Sequence, residues 1–230
     1  MMIIRTNETA VHADRIAVAL RRFGPIGILA IVLILAGNFL FVPLSALLVL
    51  LWVWRSETPW RQIGYTKPKN LIITVGIGIL FGIAFKLLMK AIVMPLLGAP
   101  PINQAYHYLA GNAAAIPAML YLIIVGAGFG EETVFHGYLF ERLGKLFGSG
   151  LFAKIAIVLI TSIYFGLVHY PVQGLAGTQQ ATIVGIVFGT IFAMTGEIWM
   201  LMVAHAAFDL MALALIYWNL ETSVAHFIFK

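Results

Sequence analysis

Between residues 23 and 218 the chain is a succession of apolar runs, at about 23–54, 71–97, 113–140, 151–169, 181–195 and 197–218. A helix needs about 20 apolar residues to cross a hydrocarbon core ~30 Å thick, so these runs dictate a membrane-embedded helical protein. The first run is too long for one upright span: as a straight helix it would measure ~48 Å. Gly37, Asn38 and Pro43 in "GNFLFVP" (37–43) are suitable turn residues and divide it into a hairpin. Arg15, Arg21 and Arg22 precede that hairpin and Arg55, Arg61, Lys67 and Lys69 follow it, so both groups lie on the cytoplasmic side. The expectation is an all-α, polytopic transmembrane bundle of about seven spans enclosing a cavity within the membrane.

Composition agrees, because 62% of the 230 residues are hydrophobic and only 10% charged, more apolar surface than a soluble core can absorb. The formal charge of +5 does not indicate nucleic acid, since the basic residues sit in short segments between spans, where they set orientation. Residues 1–22 form a polar N-terminal segment of mixed charge, unlike a signal peptide, so the first span is expected to be retained; residues 23–230 read as a single membrane domain. The chain has no cysteine, which removes disulfides, thiol nucleophiles and thiolate metal ligands. Segments 98–112 and 170–180 lack Lys and Arg, whereas Arg142, Lys145 and Lys154 cluster between two spans, as alternating loops should.

Ionisable groups inside such runs cost about 2.5–3.5 kcal/mol each on insertion scales, so each needs a partner, water or a role. Lys86, Lys90 and Lys154 lie toward span ends, where a long stem can carry the ammonium to the interface, and Glu197 sits at the "TGE" turn. Six others remain on three spans: Glu131, Glu132 and His136; His169; His205 and Asp209. Glu132 and His136 are four apart, as are His205 and Asp209, so each pair shares a helix face. Glu131 points about 100° from Glu132, so one glutamate can face a cavity while the other turns to a neighbouring helix. Each residue alone could be a helix-gluing hydrogen bond, but their concentration in a chain so poor in charge points to one buried site.

Glutamate with histidine in a wet, enclosed cavity suits general-base activation of water. No G-x-S-x-G elbow and no H-E-x-x-H sequence occurs. A zinc ion would have to be collected from His169, His205 and one carboxylate on separate helices. No cofactor is therefore fixed by the sequence, and a divalent metal such as zinc is compatible with it.

"EETVFHG" (131–137), "FGLVH" (165–169) and "HAAFD" (205–209) resemble, in order and on successive spans, the EExxxR, FxxxH and Hxxx(N/D) motifs of the CAAX protease and bacteriocin-processing (CPBP, or Abi) family of intramembrane endopeptidases. The resemblance covers about residues 57–215. It implies that Glu131 activates water with Glu132 in support, that His169 is its partner in proton transfer, and that His205 and Asp209 orient substrate or stabilise the oxyanion. Phe165 would pack the cavity wall. The family arginine is His136 here, a group whose charge depends on pH, and Arg142 is ~16 Å too far along the helix to replace it.

The implied protein is a multi-pass integral membrane peptidase, in the cell (inner) membrane if the source is bacterial. Its partners would be the lipid bilayer and a membrane-associated protein or peptide substrate, prenylated and CAAX-like or of bacteriocin type, with no role for nucleic acid. The loop charges would open the site toward the cytoplasm. Two other readings use the same residues: a proton-coupled transporter, and a non-catalytic scaffold or immunity factor.

Overall fold

The computed structural model describes residues 15–229, and the rest of the polar N-terminal segment lies outside them. Gly24 and then Pro25, whose missing N–H costs nothing at a helix start, separate a short helix α1 (Arg15–Arg21) from α2 (Pro25–Ala36). The chain then turns through Asn38 into α3 (Leu44–Arg55). Asn38 Oδ1 accepts from the Ser45 backbone N–H and Ser45 Oγ from that of Asn38, both at 3.0 Å, which closes the expected hairpin. A linker follows, and Asn70 caps α4 (Leu71–Leu96) by accepting from the Ile73 N–H at 3.1 Å. The remaining helices are α5 (Ala113–Phe147), α6 (Leu151–Thr195), α7 (Trp199–Tyr217) and the short α8 (Glu221–Ala225).

Helix α6 is not straight. Gly174 has φ 61° and ψ −160°, a conformation open essentially to glycine alone, and the chain folds back there. Lys154 Nζ donates to the Ala193 carbonyl at 2.9 Å, and the backbone at Gly185 lies against Ser162, as that at Gly166 does against Thr182. The two arms therefore run antiparallel, which matches the separate apolar runs at 151–169 and 181–195.

Among the described residues four helices are long and apolar enough to cross a bilayer, or five if the α1–α2 pair, bent by 63°, counts as one. That count falls short of the seven crossings expected. Part of the difference is α6, which is one run of helix by hydrogen bonding but two arms in space. The rest is the α2–α3 hairpin, whose 12-residue arms are each only ~18 Å long. Its apolar tip, Phe39 to Phe41, is exposed beside α5, where Tyr121 donates its hydroxyl to the Val42 carbonyl at 2.6 Å.

Helix α7 runs through the centre, with its longest shared face on α4 and its next on α5. Small residues permit this closeness. A Cβ added at Gly82 would collide with the Ala204 carbonyl, and one at Gly128 would come within 2.9 Å of the Met202 carbonyl. An apolar cluster of Phe85, Phe188, Phe192, Leu201 and Phe208 fills the space between α4, α6 and α7.

Candidate active site

From Leu122 to Tyr138 the helix α5 is wound with i→i+5 hydrogen bonds, a wide form that elsewhere concentrates at functional sites. Glu132 lies on its inner face, 1% exposed, where an isolated carboxylate would be strongly disfavoured. Both of its oxygens are paired. His136 Nδ1 lies 2.7 Å from Oε2, and His205 Nδ1, from α7, lies 2.7 Å from Oε1. The His136 ring is itself enclosed by Phe140, Phe188 and Phe192, with centroids 5.7, 6.4 and 6.4 Å away.

Glu131, the next residue, turns into a cavity of about 290 Å³ that it shares with Phe165, His169, His205 and Asp209. The side chains of Glu131 and Asp209 are 28% and 32% exposed, enough to meet water, while that of His205 is only 6% exposed. With Nδ1 committed to Glu132, His205 presents Nε2 at 3.8 Å from both Glu131 Oε2 and Asp209 Oδ2. These separations are ion-pair distances, too long for direct hydrogen bonds.

His169 lines the same cavity from the first arm of α6. Its Nδ1 lies 2.7 Å from the Phe165 carbonyl, an arrangement in which Nδ1–H donates and Nε2 is left as the other ring nitrogen. Phe165 stands between the imidazoles, its ring 4.6 Å from His169 and 6.0 Å from His205. Four of the five candidate residues, Glu131, His169, His205 and Asp209, thus line one space, with Glu132 buried behind His205, although among the described residues no hydrogen bond joins His169 to either glutamate.

Arg142 is elsewhere. It donates to the Arg21 carbonyl at 2.8 Å and stacks over Phe23 and Trp52, so the group facing Glu132 where the motif has arginine is His136 alone.

One expectation needs correction. Lys86 and Lys90 do not reach an interface. Lys90 is ion-paired to Glu221 at 2.7 Å, and Lys86, 6% exposed, lines the cavity, donating to Gln180 Oε1 at 3.1 Å with its ammonium 4.7 Å from the Phe208 ring. Lys86 was visible in the sequence as an ionisable residue in an apolar run, but the stem length that permits an interfacial position also permits burial against a neighbour.

The cavity opens at one end of the bundle. The cavity wall includes Asn38, Val42, Asn103, Tyr106 and Tyr108 and none of the basic loops at 55–70 and 141–154. It runs from Glu131 toward the loops poor in Lys and Arg, away from the end expected to be cytoplasmic. Loop charge reports how the bundle is inserted, not which half of each helix carries the polar groups.

The linker anchors the far side of α5. Tyr65 bonds the Thr133 hydroxyl at 2.7 Å, next to Glu132, and burial raises its phenol to about 12, so it stays protonated there. At the cavity mouth Tyr106, its phenol also raised, chiefly by burial, receives the Gln173 side-chain N–H at 3.3 Å.

Among the described residues no group of three or more His, Asp and Glu side chains is placed to hold a metal ion. Glu132 is occupied by two imidazoles, and His169 has no carboxylate partner at bonding distance. The donor set as arranged does not fit a zinc site of three protein ligands.

Residues 113–211 match the family model described as type II CAAX prenyl endopeptidase Rce1-like. That range holds α5, α6 and α7 as far as Met211, with every residue from Glu131 to Asp209 discussed above. No curated protein and no solved structure matches the chain.

Proposed function

We propose that the protein is an intramembrane endopeptidase in which Glu131 activates the attacking water, acting on membrane-associated chains of the prenylated, CAAX-like or bacteriocin type. The observation that carries this reading is the division of labour between adjacent glutamates. Each oxygen of Glu132 holds an imidazole, so this residue orients the two rings, whereas Glu131 faces the cavity with no hydrogen bond to its oxygens among the described residues.

Water between Glu131 and a scissile carbonyl gives its proton to the carboxylate as its oxygen bonds to the carbonyl carbon. The carbonyl electron pair moves onto oxygen, and His205, held by Glu132 with Nε2 toward the cavity, is placed to donate to that oxyanion. Asp209 stabilises the charged form of the ring. Collapse of the intermediate breaks the C–N bond as the departing nitrogen takes the proton carried by Glu131, with His169 as the relay. No step is routed through a metal, because the residues do not converge on one.

The test is cleavage of a membrane-anchored peptide by the full chain in proteoliposomes. Loss of cleavage in Glu131→Ala supports the peptidase. Proton flux without cleavage supports a transporter, and cleavage unaffected by Glu131→Ala overturns the mechanism.

A further inference from the structure

Lys86 and Lys90 stand one turn apart on α4 and have different fates. Lys90 is neutralised by Glu221 at 2.7 Å and also donates to the Pro101 carbonyl at 2.6 Å. Lys86, equally deep, has no carboxylate within ion-pairing distance among the described residues. Its hydrogen-bond acceptor is the neutral Gln180, and its other contact is the face of Phe208. Asp209 and Glu221 act on this ammonium only from beyond contact, and a buried ammonium with no carboxylate touching it is expensive, so a lysine held this way is suited to an anion brought by a ligand.

Its position narrows the choice. The catalytic cavity adjoins a second one of about 150 Å³, walled by Ala99, Pro100, Asn103, Gln104 and Ala105, and Lys86 and Gln180 line both. Glu131 and Asp209 line the first cavity, Lys86 stands at the junction, and the other charges of the second cavity, Lys90 and Glu221, neutralise each other. Gln180 adds a carboxamide beside the ammonium, and the two together offer N–H donors to a planar anion. A carboxylate is repelled by Glu131, which lines the first cavity only, and attracted by Lys86, which lines both, and this orients a bound chain.

Resting on the peptidase reading, we propose that Lys86 and Gln180 form a carboxylate-binding subsite that holds the leaving side of the substrate, most directly its free terminal α-carboxylate. The segment beyond the scissile bond then lies between His205 and Lys86.

The experiment uses the full chain in proteoliposomes with three peptides of one sequence: a free C-terminal acid, a C-terminal amide, and an amide carrying Asp as its last residue. Wild type is expected to show kcat/KM roughly tenfold higher for the acid than for the amide, the ratio one charge-assisted contact supplies. In Lys86→Met the acid-to-amide ratio falls to about one, and in Lys86→Arg it is largely kept. The ratio is internal to each variant, so a general loss of activity does not move it.

Recovery of the full preference by the Asp-terminated amide assigns the subsite to carboxylates in general, and failure to recover assigns it to the terminal one. Equal cleavage of acid and amide by wild type, or a preference surviving in Lys86→Met, overturns the subsite. If wild type cleaves no peptide, the peptidase reading fails by itself; binding of fluorescent acid and amide peptides then decides, equal affinity overturning the subsite and tighter acid binding lost in Lys86→Met upholding it.

Discussion

Glu132 and His205, 73 positions apart, meet at 2.7 Å between Oε1 and Nδ1 in the interior of the bundle. This contact joins α5 to α7 and assigns the remaining ring nitrogen of His205 to the cavity. It also separates the tasks of the twin glutamates, and the first two predictions follow from that separation.

Glu131→Gln keeps the shape and removes the base. It is expected to lower kcat by ~10²–10⁴-fold with little change in thermal stability, because the side chain faces the cavity. Glu132→Gln is expected to lower both, since an amide cannot accept two charge-assisted hydrogen bonds. Peptide cleavage and melting temperature, measured on the same preparations, separate the two.

His136→Arg is expected to preserve or raise proteolysis, because a permanent cation then faces Glu132 Oε2. His136→Leu leaves that oxygen buried without a partner, a change that costs on the order of 3–5 kcal/mol when one side of a buried pair is removed. A melting temperature for the leucine variant equal to that of wild type would refute the pairing.

Sidedness can be read directly, since the chain contains no cysteine. Basic loops mark the cytoplasmic end, so the cavity should open on the opposite face. Gln104→Cys is expected to react with a membrane-impermeant maleimide added outside intact cells, and Lys145→Cys only after lysis. The reverse pattern would return the cavity to the cytoplasmic side.

Gly128→Leu is expected to abolish cleavage while Glu131, Glu132 and His205 remain in the chain. The added side chain must push the Met202 backbone and Ala206 away, and a displacement of ~1 Å at a reacting centre can cost 10²-fold in rate. Gly174→Ala forces a side chain into a glycine-only conformation at a cost of about 1–3 kcal/mol and should lower the melting temperature with a smaller effect on rate. Cleavage assays and thermal melts distinguish these outcomes.

The helical, membrane-embedded character of this protein was readable in the chain alone, because transfer of apolar side chains into lipid depends on each residue nearly independently of its neighbours. Glu131, Glu132, His169, His205 and Asp209 stand out in the chain as candidates for the complementary reason that lipid penalises each ionised group wherever it stands. Their assembly was decided elsewhere. That Glu132 is held by two imidazoles, that Glu131 remains open and that Lys86 faces the cavity depend on how closely helices approach at Gly82 and Gly128 and where α6 reverses at Gly174. Spacing along one helix specifies a face and a depth, but a partner on another helix is set by packing between them, and no local pattern encodes that distance.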